Sequence, residues 1–414
     1  MGMSMASSHS VYKKLNDAIF NASAACQAAV AHHGAENVVN ATIGVMMDEQ
    51  GKFVCLPTVE KVYRSLPIEE ITNYAPISGI DEFRDLAIDL TFADNRPDGY
   101  FAAVATAGGT GAIHHAIANY AEKGDGVLTA NWYWGNYKVI CEEEGCRLST
   151  FKLFDDQNKF NVDDFQKSVE ILTNGQDSLL VIINSPAHNP TGFALTGDDW
   201  DQVIDVLTQV ANNGRRISLL VDIAYIDYAG ETNATRKFMQ KFSRVPKNVL
   251  VMFAFSMSKS FTFYGQRCGA LIAYSPEESV IREFENVCKY SNRATWSNCS
   301  RGAQRLMIEL CNDQTAYKKF LQERTDLYNL VEKRGELFMK DAAECGLEAL
   351  PYNGGFFLSV PTKNAMKICD RLHEDLIFAV PLKLGIRIAA CSMSMKKIDG
   401  VAKKIKSAMD EIGE

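Results

Sequence analysis

The sequence lacks several features that mark particular classes of protein. No apolar run among its 414 residues reaches the 18 or so residues that a membrane span needs, and its first residues have neither the basic nor the apolar region of a signal peptide. Lysine and arginine number 43 against 51 aspartates and glutamates, a formal net charge of -8 that disfavours nucleic acid and anionic membranes as main partners. We therefore expect a cytoplasmic protein that acts on small polar molecules.

The cysteines lack the spacing of a disulfide framework or a zinc site. Eleven of them, an odd number, are scattered from Cys26 to Cys391 without a C-x-x-C pair. The seven histidines include two adjacent pairs, but neighbouring side chains point to different sides of a helix or strand. We therefore expect free, mostly buried thiols and no bound metal.

What the sequence does contain, between residues 100 and 275, is a series of short apolar runs separated by amphipathic segments. The runs cover residues 104–107, 127–130, 179–183, 217–221 and 249–255. They predict strands buried on both faces of a mostly parallel sheet that helices cover, an α/β fold. Ligands of such sheets bind at the carboxyl ends of the strands.

After about residue 300 the pattern changes to long helical stretches with one further strand-like run, residues 355–360. This change predicts a second, smaller α+β domain that a long helix joins to the first. We expect residues 1–50 to form an N-terminal segment and part of the small domain, 51–315 the large domain, and 316–414 the interdomain helix and the rest of the small domain.

One lysine has neighbours that suit a reactive amine. Lys259 lies in the segment Ser-Met-Ser-Lys-Ser, residues 256–260, directly after the last apolar run, and Arg267 follows eight positions later. Lysine nucleophiles form imines with carbonyl compounds, pyridoxal phosphate among them, and a nearby cation keeps the amine partly unprotonated. A solvated loop lysine is the alternative for such a residue taken alone. The hypothesis is an amine beside an anion site, with a phosphate as the expected anion.

Further polar clusters follow the other predicted strands and should gather at the same edge of the sheet. Residues 108–111, Gly-Gly-Thr-Gly, precede a helix whose N-terminus favours a phosphate, although a tight turn is the alternative. Asp222 ends an apolar strand, where it needs a positive partner or caps a helix. Asn189 lies in a rigid turn with Pro and Gly. Trp134 either stacks on a flat ring or packs in the core.

Together these clusters resemble the fold-type I, class I aminotransferases that use pyridoxal 5'-phosphate (PLP), above all the aspartate and aromatic aminotransferase branch. The likeness spans about residues 36–395 and rests on the order and spacing of six clusters. It implies transfer of an amino group between an amino acid and a 2-oxo acid, with glutamate and 2-oxoglutarate as one pair. Aspartate is the expected amino donor, and tyrosine or phenylalanine is the alternative.

The resemblance also implies a role for each matching residue. Lys259 would hold PLP as an imine and move the proton, and Asp222 would pair with the pyridinium nitrogen. Tyr225 and Asn189 would bind the phenolic oxygen of the cofactor. The other cofactor contacts that the resemblance implies are Gly109, Thr110, Trp134, Ser256, Arg267 and Tyr74. Tyr74 would come from the second subunit of a homodimer with shared active sites.

Two arginines correspond to the substrate-binding arginines of that branch. Arg387 would form a bidentate pair with the α-carboxylate of the substrate. Arg293 would bind a distal carboxylate across the dimer interface, although an exposed arginine at a helix end is the alternative. The other expected substrate contacts are Gly44, Trp134 and Asn189. Tyr137 stands where the family has a histidine that supports the aspartate.

Two other classes of protein stay open on the sequence. Residues 256–259 also fit S-x-x-K, the nucleophile motif of serine β-lactamases and penicillin-binding proteins, but the companion motifs S-D-N and K-T-G are absent. A PLP-binding regulator without turnover would need a DNA-binding module, and we find no spare domain for one. The sequence therefore favours an aminotransferase.

Overall fold

The computed structural model describes residues 5–11, 13–15 and 17–414. Its helices are α1 (Ala18–His33), α2 (Pro57–Ser65), α3 (Ile68–Thr72), α4 (Asp81–Phe92), α5 (Gly108–Tyr120), α6 (Asn136–Glu143), α7 (Val162–Gly175), α8 (Gly197–Asn212), α9 (Thr232–Arg236), α10 (Met257–Ser260), α11 (Glu278–Thr295), α12 (Arg301–Asn312), α13 (Gln314–Cys345), α14 (Ala365–Glu374), α15 (Met395–Ile398) and α16 (Val401–Ile412). Its strands are β1 (Val39–Asn40), β2 (Tyr100–Ala107), β3 (Gly126–Ala130), β4 (Arg147–Phe151), β5 (Ser178–Asn184), β6 (Arg216–Asp222), β7 (Val249–Ser256), β8 (Cys268–Ser275), β9 (Phe357–Pro361), β10 (Ile377–Phe378), β11 (Val380–Leu382) and β12 (Gly385–Ala389).

Seven strands form the central sheet, in the order β2-β8-β7-β6-β5-β3-β4. Neighbours are parallel except at β8, which runs antiparallel to both β2 and β7. Helices cover both faces, so alternate residues of one strand enter different cores. In β7, Val251 and Phe253 belong to one core, and Met252 and Ala254 to the other. Burial on both faces explains the continuous apolar runs in the sequence.

A smaller antiparallel sheet, in the order β11-β12-β9, has a separate core. Helices α13, α14 and α16 contribute Phe338, Ile368 and Ile405 to this core. Strand β1 pairs with β10, which brings the N-terminal part of the chain to the same region. The predicted fold class, α/β with a smaller α+β part, is therefore confirmed.

The long helix α13 connects the large sheet region to the small one. It spans 32 residues, with Phe320 in one of the two cores of the central sheet and Phe338 in the core of the small sheet. The side chain of Asp313 caps its first turn by accepting hydrogen bonds from the backbone N–H groups of Thr315 and Ala316. Gly346, in the left-handed conformation, ends it.

The remaining sequence expectations concern membranes, thiols and metals. Among the described residues, no helix is long and apolar enough to cross a membrane. All eleven cysteines are free thiols and eight of them are buried, as expected. In the same part of the chain, no group of three or more His, Cys, Asp or Glu side chains could hold a metal ion.

Candidate active site

The carboxyl ends of the parallel strands carry several of the predicted functional residues. Asn184 ends β5 and Asp222 ends β6, and the register places these two residues directly opposite each other. Ala254 of β7 lies opposite Asp222 on the other side. Two residues later β7 ends at Ser256, and the short helix α10 then carries Lys259. The chain therefore brings these groups to one edge of the sheet.

A cavity of about 450 Å³ lies at this edge, a volume typical of small-molecule sites. The predicted site residues that line it are Gly44, Gly109, Thr110, Trp134, Asn189, Asp222, Tyr225, Ser256, Lys259, Arg267 and Arg387. Tyr74 and Arg293, the two residues expected from a second subunit, do not line it within this chain. The structure therefore brings together all the residues that the sequence assigned to a single subunit.

Lys259 is enclosed by polar and aromatic groups. Its Nζ donates a hydrogen bond to the carbonyl oxygen of Gly44 at 2.6 Å and lies 4.6 Å from the ring centre of Tyr264. Burial disfavours the charged ammonium, and Arg387 and Arg267 repel it, so the pKa of Lys259 falls from 10.5 to about 8. Roughly a tenth of the amine is therefore neutral, and able to act as a nucleophile, at about pH 7.

Asp222 is a buried carboxylate that no cation pairs with among the described residues. Tyr137 Oη donates a hydrogen bond to its Oδ2 at 2.5 Å, and the backbone N–H of Ala224 donates to its Oδ1 at 3.1 Å. Burial raises the pKa of Asp222, and these two hydrogen bonds oppose that rise. Tyr137 thus supports the aspartate directly. A buried carboxylate with donors but no countercharge suits a cationic group of a ligand.

Arg267 and the N-terminus of α5 form a site for an anion. Gly108 starts this helix with φ +69°, and a Cβ there would lie 2.8 Å from Nη2 of Arg267. A Cβ on Gly109 would lie 3.3 Å from Cβ of Ser256. Arg267 also donates a hydrogen bond to the hydroxyl of Ser258 at 3.2 Å. The guanidinium and the helix dipole act in the same direction, so both favour a bound anion.

Arg387 is 2% exposed and still has a free donor. Its Nη2 donates to the carbonyl oxygen of Thr42 at 2.6 Å and its Nη1 to Oδ1 of Asn189 at 3.3 Å. Its Nε has no partner among the described residues. Burial lowers the pKa of Arg387 from 12.5 to about 10. An unpaired buried guanidinium donor costs free energy, which a carboxylate ligand would offset.

Asn189, Tyr225 and Trp134 complete the walls of the cavity. The backbone N–H of Asn189 donates to Oδ1 of Asn184 at 2.6 Å, which fixes the turn that carries Asn189. Burial raises the pKa of Tyr225, so its hydroxyl keeps its proton. Trp134 packs edge-on against Tyr137, with ring centres 5.7 Å apart.

The contacts of Ser256 do not support the S-x-x-K alternative. Lys259 donates to Gly44, and the hydroxyl of Ser256 accepts a hydrogen bond from the N–H of Ser258 at 3.2 Å. Within the described residues no hydrogen bond joins Ser256 to Lys259, so this lysine does not activate that hydroxyl.

Tyr74 and Arg293 lie away from the cavity. The side chain of Tyr74 is 81% exposed in the connection between α3 and α4. Arg293 is in the last turn of α11 and donates a hydrogen bond to the hydroxyl of Ser297 at 2.5 Å. Both roles need a second subunit, so they stay predictions.

Several cavity residues had no assignment from the sequence: Asp17, Asn184, Ser258, Tyr264 and Phe357. Asn184 directly follows the predicted strand 179–183, which is a signal that could have identified it. Ser258 and Tyr264 flank Lys259 along the chain. Asp17 lies in no motif, and no local pattern indicates that it reaches the cavity.

An α/β sheet that presents a lysine of lowered pKa and a buried carboxylate at its strand ends is typical of enzymes that use a lysine amine. The family described as aminotransferase class I and II matches residues 36–405, so the chain belongs to that family. The predicted aminotransferase family is therefore confirmed.

Individual relatives agree with this assignment. An aminotransferase structure from Anaerococcus prevotii has 38% sequence identity and a TM-score of 0.95, covering 97% of this chain and 98% of that chain. Aspartate aminotransferase of Escherichia coli strain K12 is 28% identical over 356 residues, 83% of this chain and 86% of the relative. A Burkholderia pseudomallei aromatic-amino-acid aminotransferase, covalently bound to pyridoxal phosphate, is 22% identical, with a TM-score of 0.81 over 98% of this chain and 100% of that one. At that identity the likeness shows the fold alone.

Proposed function

We propose that the protein is a PLP-dependent aminotransferase that moves an amino group between an amino acid and a 2-oxo acid. The observation that carries the proposal is one cavity that holds three groups. They are the Lys259 amine of lowered pKa, the Asp222 carboxylate, which has no cation partner among the described residues, and the Arg387 guanidinium. Membership of the aminotransferase family supports it. Glutamate and 2-oxoglutarate are the expected common pair.

The residues of the cavity fit PLP. The start of α5 with Arg267 and Ser256 suits its phosphate, and a Cβ on Gly108 would fill the space beside the guanidinium of Arg267. Asp222, which lacks a cation partner among the described residues, suits its protonated ring nitrogen. When bound, PLP supplies an electron sink for the bonds broken at the α-carbon of an amino acid.

The surrounding side chains have distinct tasks in this proposal. Lys259 would hold the cofactor and, when released, carry a proton on Nζ, for which a pKa near 8 is well matched to neutral pH. Asp222, kept charged with the help of Tyr137, would keep the ring nitrogen protonated. Asn189 and Tyr225 would bind the phenolic oxygen, with Tyr225 as a donor because its hydroxyl keeps its proton. Trp134 would stack on the ring.

Arg387 would orient the substrate. Its guanidinium is buried, and it could bind an α-carboxylate through two parallel hydrogen bonds from Nη1 and Nη2 after Nη1 exchanges its bond to Asn189. Fixing the carboxylate fixes the α-amino group relative to Lys259. Gly44, whose carbonyl oxygen holds Lys259, would contact the same substrate.

We also propose a homodimer with shared active sites in the cytoplasm. Tyr74 is 81% exposed and Ile68, on the neighbouring helix α3, is 62% exposed, and exposed apolar side chains of this size are typical of an interface. Tyr74 would reach the phosphate of the partner's cofactor, and Arg293 the distal end of the partner's substrate. Eleven free thiols fit a reducing compartment.

Two amino donors fit the cavity. Aspartate is supported by the names of the relatives and by Arg293, if that residue enters from a second subunit. Phenylalanine or tyrosine is favoured by a different observation, the apolar lining that Ile19, Phe20, Ile43 and Val45 contribute.

The proposed function is tested by transfer of isotope. The protein with PLP is given 15N-labelled aspartate or phenylalanine together with 2-oxoglutarate, and glutamate is analysed by mass spectrometry. We expect labelled glutamate from the native protein and none from Lys259→Ala. If the native protein with PLP transfers label from neither donor, the proposed function is wrong.

A further inference from the structure

Asn184, the last residue of β5, lines the cavity and has no role in the proposed chemistry. Each end of its side-chain amide binds a backbone group. Nδ2 donates a hydrogen bond to the carbonyl oxygen of Asp222 at 2.7 Å, and Oδ1 accepts one from the N–H of Asn189 at 2.6 Å. These two partners fix the orientation of the amide, because only its nitrogen can donate and only its oxygen can accept.

Asn184 joins two chain segments at the point where the backbone pairing between them ends. The ladder of β5 and β6 ends at the pair of Asn184 and Asp222. The chain then turns away from the sheet until Asn189, whose N–H returns to the Asn184 amide. All three residues are buried, at 5% or 6% exposed. A buried carbonyl or N–H without a partner costs free energy, so without this amide both segments would shift to find other partners.

The two segments carry the groups that would bind the two polar atoms of the cofactor ring. In the proposed function the carboxylate of Asp222 binds the ring nitrogen, and the side chain of Asn189 binds the phenolic oxygen. Both atoms belong to one rigid aromatic ring, so the distance between them is fixed. Affinity therefore depends on holding the two protein groups at the matching distance before the ring arrives.

We propose that Asn184 is a positioning residue that sets the distance between the group for the ring nitrogen and the group for the phenolic oxygen. This inference rests on the proposed function and assigns a further residue to it. Both ends of the Asn184 amide bind protein backbone, so the residue acts through Asp222 and Asn189.

The test compares two ligands that share a phosphate and differ in the ring. The first is 4'-deoxypyridoxine 5'-phosphate, a PLP analogue with a methyl group in place of the aldehyde, so its binding needs no imine with Lys259. The second is inorganic phosphate, which probes only the anion site of Arg267 and α5. Isothermal titration of the full-length protein freed of PLP gives both dissociation constants, and their ratio reports the contribution of the ring.

Two variants remove the link and one serves as a matched control. Asn184→Ala removes both hydrogen bonds. Asn184→Ser is milder, since it has one polar atom in place of two and is one bond shorter. The control is Asn131→Ala. Asn131 directly follows β3, accepts a hydrogen bond from the backbone N–H of Leu153 at 3.0 Å and is not among the residues that line the cavity.

We expect Asn184→Ala to bind the ring analogue about tenfold more weakly than the native protein, which corresponds to about 1.4 kcal/mol. Its affinity for inorganic phosphate should not change, because the anion site lies on other elements. Asn184→Ser should change the ratio in the same direction. Asn131→Ala should keep the native ratio.

An unchanged ratio in the Asn184 variants, an equal loss of both ligands, or an equal change in Asn131→Ala contradicts the proposal. If Asn184→Ala does not fold, the ratio in Asn184→Ser decides. A native protein that does not bind the ring analogue would refute the cofactor site and the role of Asn184 together. The expected ratios without label transfer by the native protein would refute the aminotransferase reaction and leave the role of Asn184 intact.

Discussion

Burial changes the acid–base behaviour of the charged residues in the cavity. It lowers the pKa of Lys259 to about 8 and that of Arg387 to about 10, and it raises the pKa of Asp222. Burying such charges costs free energy of folding. Groups whose pKa values are shifted in this way cluster at functional sites. The same three groups are those that the proposed function needs.

The lowered pKa of Lys259 predicts how the uptake of PLP by the cofactor-free protein depends on pH. Only the neutral amine reacts, and its fraction rises about tenfold per pH unit below the pKa. Uptake, followed by visible absorbance after mixing, should therefore accelerate up to a pH of about 8 and level off above it. A rate that still rises steeply between about pH 9 and 10 would mean an ordinary lysine.

Tyr137→Phe removes one hydroxyl and keeps the ring. The hydrogen bond from Tyr137 is the larger of the two that oppose the rise in the pKa of Asp222, so without it the carboxylate should hold its charge less well. We expect PLP to bind roughly tenfold more weakly, in line with about 1.5 kcal/mol for a hydrogen bond to a charged group, by equilibrium dialysis. Tyr133→Phe, in the connection between β3 and α6 just before Tyr137, is the control and should bind PLP like the native protein. Equal affinity in Tyr137→Phe would show that this hydroxyl does not support Asp222.

The secondary structure elements differ in how far the sequence predicted them. The five apolar runs correspond to β2, β3, β5, β6 and β7, because strands covered on both faces have continuous apolar sequence. Strand β4, with the sequence Arg-Leu-Ser-Thr-Phe, was not predicted, since only Phe151 of this edge strand is buried and the strand has no continuous apolar run. The antiparallel direction of β8 depends on the return of the chain after α10, which no local pattern encodes.

The sequence predicted those site residues that lie at or just after the ends of strands. Asp222, Ser256 and Lys259 lie at or just after strand ends, so the sheet topology alone brings them together. The contact between Tyr137 and Asp222 joins residues 85 positions apart and depends on the packing of α6 against the sheet. Asp17 reaches the cavity from α1, outside the sheet, so its place depends wholly on tertiary packing.

A buried ionic cluster connects α13 to the segment that follows β6. Asp227, in the turn after β6, pairs with Arg236 at 2.7 Å and with Arg324 of α13 at 3.2 Å. Burial alone would raise the pKa of Asp227, but Arg324, Arg236 and a hydrogen bond from Ser260 lower it to about 2. Since Ser260 adjoins Lys259, the cluster also supports the helix that carries the amine.

Asp227→Asn should be strongly destabilising, because it leaves two buried arginines without a countercharge. We expect the free energy of unfolding to fall by about 3–5 kcal/mol in urea denaturation at about pH 7. The stabilisation should be full above the ordinary pKa of 3.8 and be lost as the pH falls towards 2, since the folded-state pKa is the lower one. As a control, Asp205→Asn breaks an exposed pair with Arg244 and should cost less than about 1 kcal/mol. Comparable small losses in both variants would contradict this account.

The described part of the molecule has a large and a small sheet region joined by one long helix, with the cavity near both. Lys259 belongs to the large sheet region, whereas Arg387 is on β12 of the small sheet. We propose domain boundaries near residues 50 and 315, supported by the pairing of β1 with β10 and by the start of α13 at Gln314. A substrate bound by Arg387 would then lie between the two domains.

The shared sites of the proposed homodimer predict complementation between two defective subunits. Lys259→Ala lacks the amine, and Tyr74→Ala lacks the side chain proposed to serve the partner's site. In a hybrid dimer, one site receives Lys259 from one subunit and Tyr74 from the other, so it is intact. We expect mixed, refolded subunits to exceed the summed label transfer of the two separate variants. No gain in verified hybrids would show that Tyr74 serves its own subunit or none.

The central claim is that Lys259 holds PLP at the strand ends of an aminotransferase. The most direct measurement is mass spectrometry of peptides after PLP-loaded native protein is reduced with borohydride. The account predicts a phosphopyridoxyl group on Lys259 alone. A protein that binds no PLP, or that bears the group on another lysine, would contradict it.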